Sequence, residues 1–223
     1  MSGIAERLAD LRARIPEGVT LVAVSKFHPA EAVAEAYGVG QRIFGESRAQ
    51  ELTAKAVSLP DDIRWHFIGH LQTNKVRNVV PHAALIHSVD SMRLLRALND
   101  EALREGRRVR VLMQLHVALE ETKFGFTPDE LLAELTPAIF DEYPAVEFAG
   151  LMAMASNVDD EARISRDFAE ARACFDTIRA GVMADHPEFS VLSMGMSHDW
   201  PLAVAAGANM IRIGTDVFGE RIY

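Results

Sequence analysis

Lys26 closes an apolar run, Leu21-Val22-Ala23-Val24, from which only Ser25 separates it, and Phe27-His28-Pro29 follows. A short apolar run of this kind predicts a strand over residues 21–26, buried on both faces as in a parallel sheet. Pro29 suits the first position of a helix, where a missing N–H costs nothing. An ammonium held between a buried strand and a helix start is partly desolvated, and full burial lowers a lysine pKa by up to ~3–5 units. The neutral amine released in this way is the form that condenses with a carbonyl to a Schiff base. The alternative at this point is a lysine that snorkels to water.

Towards the other end of the chain, Ser193-Met194-Gly195-Met196-Ser197 offers hydroxyls and a glycine whose bare backbone can approach an anion. It leads into a helix start, where free N–H groups favour negative charge. Gly214-Thr215 supplies a second glycine and hydroxyl. Arg212 precedes Gly214 by two residues, so both share one side of a strand. An inward arginine needs a partner, because an unpaired buried charge is very costly. The partner is either a carboxylate, with Glu46 and Asp199 as candidates, or the ring of a bound ligand. A lysine facing a phosphate cradle fits an aldehyde that carries a phosphate. Taken singly, each loop is equally well explained by turn chemistry.

Something has to hold residue 26 opposite residues 193–215. Strands are expected at 21–26, 41–44, 64–68, 84–89, 109–116, 146–152, 189–194 and 210–213, each followed by helical patterning. Gly38, Pro60, Pro81, Gly106, Gly181 and Gly207 supply helix stops. Asp90 or Ser91 can cap one helix, and Thr127-Pro128-Asp129-Glu130 is a capping box with proline at N1. Eight strand–helix alternations imply a parallel sheet with crossover helices. At this length they fit one closed (β/α)₈ barrel of the TIM type over residues 1–223, with an additional N-terminal helix. An open doubly wound sheet is the competitor, but Gly38-x-Gly40 precedes a strand instead of following one, and no Walker A loop occurs. In a barrel, the residues just past the strands face one pocket: Lys26; Gly45, Glu46 and Ser47; His66 and His70; His87 and Ser88; Gln114 and His116; Ser193 to Ser197; and Arg212, Gly214 and Thr215.

The 223 residues are 49% hydrophobic and 25% charged, an ordinary globular composition. A formal net charge of −9 disfavours nucleic acid. The single Cys174 excludes an internal disulfide and reads as packing. The charged amphipathic N-terminus lacks the apolar core of a signal peptide, and no run is long enough for a membrane span, so a cytoplasmic protein is expected. His66 and His70 lie in a strand-to-loop segment without a third ligand, so no metal is assigned. Arg107, Arg108 and Arg110 read as a solvated loop after a helix end. No nucleophile elbow is present.

Longer stretches carry a family likeness. Leu21-Val22-Ala23-Val24-Ser25-Lys26, Phe44-Gly45-Glu46, Trp65-His66-Phe67-Ile68-Gly69-x-Leu71-Gln72-x-Asn74-Lys75, His87-Ser88-Val89-Asp90, Lys123-x-Gly125, Gly150-Leu151-Met152, Leu192-Ser193-Met194-Gly195-Met196-Ser197-x-Asp199 and Ile211-Arg212-Ile213-Gly214-Thr215-x-x-Phe218-Gly219 resemble the pyridoxal phosphate homeostasis proteins, in order and over nearly the whole chain. The resemblance implies a barrel similar to the N-terminal domain of alanine racemase. It implies that Lys26 carries pyridoxal 5'-phosphate as an internal aldimine. It also implies that Ser193, Gly195, Ser197, Gly214 and Thr215 surround the phosphate, that Met196 and Ser47 belong to the cofactor site, and that Arg212 faces the pyridine nitrogen. Ser47 stands where asparagine is usual, His70 where proline is frequent, and His116, Ala118 and Phe124 also depart from the pattern.

The function implied is storage, buffering or delivery of the cofactor by a monomer, with transient contact to enzymes that need it and without substantial catalysis. The rival is a pyridoxal phosphate-dependent racemase, which needs a second acid/base opposite the lysine. Alanine racemase takes a tyrosine for this from a second domain, whereas this chain ends at Tyr223, which favours the carrier. A Schiff-base aldolase for phosphosugars shares the same lysine-and-phosphate logic.

Overall fold

The computed structural model describes residues 3–120 and 124–220. Within them, eight parallel strands close in sequence order into a barrel. The chain runs α1 (Ile4–Arg14), β1 (Thr20–Val24), α2 (Ala30–Gly38), β2 (Ile43–Glu46), α3 (Ala49–Ser58), β3 (Arg64–Phe67), a 3-10 turn (Thr73–Lys75), α4 (Val76–Val79), β4 (Ala83–Val89), α5 (Met92–Arg104) and β5 (Val109–Leu115). It continues through α6 (Pro128–Glu134), α7 (Ile139–Glu142), β6 (Val146–Ala153), α8 (Glu161–Ala180), β7 (Val191–Ser193), α9 (Trp200–Ala205), β8 (Met210–Ile213) and α10 (Thr215–Phe218). Pairing of β1 with β8, Val22 opposite Arg212 and Ala23 opposite Ile213, closes the ring. That pairing brings the two ends of the chain together.

Each helix buries one stripe against the barrel wall. In α8 the stripe is Ile164, Phe168, Ala171, Phe175 and Ile178, with Cys174 packed beside it. Asp160 caps this helix from its side chain, and Ser91 does so for α5. The capping box at Thr127 forms as expected, with Glu130 returning the bond. Helix α1 buries Ile4, Leu8 and Leu11, and the Arg7 Nε donates to the Val217 carbonyl at 2.8 Å. Inside the barrel sits a second, smaller apolar layer of Val22, Leu85, Leu112, Ala149, Met152 and Met210. Gly150 lets β6 approach β7, since a Cβ there would stand 1.8 Å from the Val191 carbonyl oxygen.

Several expectations need adjustment. Strand β1 stops at Val24, because the Ser25 carbonyl turns to accept the Lys55 ammonium at 2.9 Å and the His28 N–H at 3.1 Å. Pro29 is the extended N-cap of α2 and not its first helical residue. The expected helix after β3 is only a 3-10 turn and the four residues of α4. Helices α7 and α10 are one-turn elements too short to leave a periodic pattern. Arg107 and Arg108 lie exposed in the loop before β5, as expected, whereas Arg110 lies in β5 and pairs with Glu147 of β6.

Candidate functional site

Lys26 sits two residues beyond the end of β1, in a turn fastened from both sides. On one side, the Lys55 Nζ of α3 holds the Ser25 carbonyl and pairs with the Glu46 carboxylate at 2.6 Å. The Ser25 hydroxyl donates to the same carboxylate at 2.7 Å. On the other side, the Phe27 N–H donates to Glu51 at 2.9 Å. Phe27 itself takes φ 67°, a left-handed conformation uncommon outside glycine, with the Arg48 guanidinium 4.5 Å above its ring. Such a conformation costs of order 1–3 kcal/mol and persists only where its surroundings impose it. Here those bonds hold the turn that carries Lys26 at the end of β1. Burial raises the Glu46 carboxyl above its ordinary value, although its bonds to Lys55 and Ser25 pull the other way.

The half-buried Lys26 opens into a cavity of about 270 Å³ lined by Val24, Ile68, Met154, Met196, Ser197, His198, Arg212, Gly214 and Thr215. Among the described residues no carboxylate lines it, although the chain as a whole carries a net charge of −9. The loops after β7 and β8 form one wall. The Met196 N–H is taken by the Asp199 carboxylate at 2.6 Å. The N–H groups of Ser197, His198, Thr215 and Asp216 have no acceptor among the described residues.

Arg212, only 5% exposed, reaches the cavity from β8. Its Nη1 donates to the Ser193 carbonyl at 2.8 Å and to the Ser193 hydroxyl at 2.7 Å, and its Nη2 donates to the Ala153 carbonyl at 3.0 Å. The Nε–H and one Nη2–H remain without a protein acceptor among the described residues. Neither carboxylate considered from sequence pairs with it: Glu46 belongs to Lys55, and Asp199 acts only from a distance. Burial pushes the guanidinium down to about 10, with Asp199 opposing, so it stays charged at neutral pH.

Of the residues singled out from sequence, the fold brings Lys26, Met196, Ser197, Arg212, Gly214 and Thr215 into this one cavity. Ser47 lines a neighbouring groove with His70, Gln72 and Lys75. Ser193 is fully buried and turns its hydroxyl to Arg212 and His87. Gly195, at φ 92°, lies against α9, where a Cβ would meet Trp200 Cα and Ala203 Cβ at 2.8 Å. His116 caps the Glu120 carbonyl, away from the cavity. Lys123 falls outside the described residues. Sequence reasoning missed His198 and Met154. Met154 follows Met152 by two residues and shares its side of the strand, a signal available once β6 is extended.

The lining suits a flat aldehyde with an anionic tail. An amine and a pair of unused guanidinium hydrogens stand across from hydroxyls and open N–H groups. Val24, Ile68, Met154 and Met196 supply apolar surface for ring faces.

The chain matches the alanine racemase N-terminal domain family over residues 1–222. It is 39% identical to the pyridoxal phosphate homeostasis protein of Escherichia coli strain K12, over 100% of this chain and 99% of that protein. Among solved structures, PipY of Synechococcus elongatus PCC7942 with PLP bound superposes with a TM-score of 0.86 at 44% identity, covering 97% of this chain and 100% of that one. An alanine racemase from E. faecalis shares the fold at a TM-score of 0.72 and 18% identity, with 57% of its own chain covered.

Proposed function

The chain belongs to the pyridoxal phosphate homeostasis proteins within the alanine racemase N-terminal domain family, and from that premise we propose that it binds pyridoxal 5'-phosphate in the Lys26 cavity and serves intracellular homeostasis of that cofactor. The observation that carries the reading is the meeting of Lys26, Arg212, Ser197 and Thr215 around one cavity with no carboxylate among the described residues that line it.

Lys26 is the group that would attach to the cofactor's carbonyl carbon. The hydroxyls of Ser197 and Thr215, and the open N–H groups beside them, would hold the phosphate dianion. Arg212 would offer its remaining hydrogens to the ring nitrogen. When bound, the cofactor supplies an aldehyde and an electron-accepting ring. A guanidinium keeps its proton and donates only a hydrogen bond, so the ring stays a weak electron sink. That favours a carrier over a carbanion-forming enzyme. Residues 1–223 act as a single cofactor-binding unit, a cytoplasmic monomer that meets enzymes lacking their cofactor only transiently.

The test is the absorbance of the purified protein with and without added pyridoxal phosphate, followed by borohydride reduction and peptide mass analysis. A pyridoxyl group on Lys26 is expected. A pyridoxyl group on Lys75 or Lys123, or none at all, overturns the assignment. Racemisation of alanine by pure protein at enzymatic rates would overturn the carrier reading.

A further inference from the structure

Beneath the cavity, a row of uncharged polar side chains crosses the otherwise apolar barrel interior. From Arg212 it passes to the Ser193 hydroxyl at 2.7 Å, then to His87 Nδ1 at 3.2 Å, and from His87 Nε2 to His66 Nδ1 at 3.0 Å. The exposures are 5% for Arg212, 0% for Ser193 and His87 and 1% for His66. His66 Nε2 ends the row, buried and without a partner among the described residues. The apolar layer inside the barrel includes Leu85, Leu112 and Met152, none of which can take part in a hydrogen bond of comparable strength.

The proton count gives the row a direction. A guanidinium donates and never accepts. The Ser193 oxygen therefore accepts from Arg212, and its one hydrogen finds its only acceptor among the described residues in His87 Nδ1, which sets that bond's direction from serine to histidine. A neutral His87 then carries its proton on Nε2 and donates to His66 Nδ1. His66 in turn carries its proton on Nε2. Both rings are neutral, since burial drives His66 down to about 3 and His87 well below its ordinary value. The buried Nε2–H at the end is left unsatisfied, a cost of roughly 1–3 kcal/mol that packing alone would not retain.

We propose that Ser193, His87 and His66 form a one-way, uncharged relay that positions Arg212 as a donor to the bound cofactor, a role that rests on the pyridoxal phosphate reading above. With both Nη1 hydrogens turned to Ser193, the guanidinium plane is fixed, and the Nε–H and one Nη2–H are the donors presented to the cavity. The relay supplies acceptors without a counter-charge, so the full positive charge of Arg212 stays available to an anionic ligand. Ser193, His87 and His66 are positioning residues and do not touch the ligand.

Two experiments test the relay. The first uses the protein without cofactor, so its outcome is independent of pyridoxal phosphate binding: histidine 15N shifts near pH 7. Both His66 and His87 are expected as the neutral Nε2–H tautomer. A neutral Nδ1–H tautomer at His87, or an imidazolium at either ring, overturns the direction. The second compares His87→Phe with His87→Gln, whose amide can both accept and donate, each with and without Arg212→Gln. His87→Phe is expected to weaken retention of pyridoxal phosphate about tenfold (~1.4 kcal/mol) and to shift the bound absorbance maximum, with His87→Gln restoring most of both. In the Arg212→Gln background, His87→Phe should add no further change. An unchanged spectrum in folded His87→Phe, or full additivity with Arg212→Gln, refutes positioning. If His87→Phe does not fold, Ser193→Ala reads the same link, with the same two outcomes. Failure of the wild-type protein to take up pyridoxal phosphate would defeat the functional reading while leaving the tautomer result standing.

Discussion

Behind Lys26 lies an ion pair, Lys55 with Glu46, sealed between β2 and α3. Behind Arg212 lies a row of neutral groups, Ser193, His87 and His66. Both networks are buried, and both hold the backing of one cationic side chain in the same cavity. On the reading proposed above, the two side chains have different work. Lys26 would have to give up its proton, and its turn is gripped through backbone atoms, with the positive charge of Lys55 nearby offset by Glu46. Arg212 would keep its charge and two of its hydrogens for the ligand. A carboxylate in the place of Ser193 would take both. A neutral acceptor costs less to bury and leaves the charge uncommitted.

The largest expected effect separates chemistry from scaffolding. Lys26→Ala should abolish covalent cofactor binding, and with it the yellow colour, while leaving the circular dichroism spectrum native. Retained colour would move the anchor elsewhere. Next comes the ion pair. Lys55→Met leaves the Glu46 carboxylate buried and uncompensated, and should cost about 3–5 kcal/mol of stability in urea unfolding. Adding Glu46→Gln should recover much of that loss. A loss below about 1 kcal/mol would show that the pair is not sealed from water.

Acid titration distinguishes the two networks by sign. The histidines have depressed values in the fold, so on acidification below the ordinary value of 6.5 the unfolded chain binds protons that the native state does not. Stability should then fall by up to ~1.4 kcal/mol per pH unit for each histidine, continuing for His66 down to about 3. Glu46 works in the opposite sense: its raised value means that the native state takes its proton first, and its contribution improves as pH falls through the folded value towards 4.5. His66→Phe should flatten the acid limb of the stability curve, and an unchanged limb would show that the ring is hydrated. The smallest effect belongs to the rim: Ser197→Ala should weaken pyridoxal phosphate retention by about 1 kcal/mol, roughly fivefold, and Ser47→Asn should leave it unchanged. A reversed order would exchange the roles of the two loops.

The eightfold alternation of strand and helix was legible because buried parallel strands and amphipathic helices leave different periodicities. Lys26 and the two glycine–hydroxyl loops were legible because each stands just past a strand, and Arg212 because it shares one side of its strand with Gly214. Ser193 was legible as a strand-end residue, but its partner was not. A hydroxyl there could equally meet a ligand or a neighbouring strand, and only the register of β7 against β8 decides between them. Glycine at 195 was read as room for an anion, whereas in the fold its Cβ position is filled by α9. The left-handed turn at Phe27 left no mark in the sequence, because nothing in a phenylalanine announces positive φ.

The sequence by itself determined the barrel, its order of elements and the residue types at the rim, since these follow from local patterning and from strands that recur in one direction. Only the tertiary structure decided which buried polar groups face one another. Lys55 meets Glu46 nine positions away across a helix, and His87 meets Ser193 one hundred and six positions away across the barrel. Such pairings depend on strand register and barrel closure, which are cooperative properties of the whole ring and are carried by no single segment.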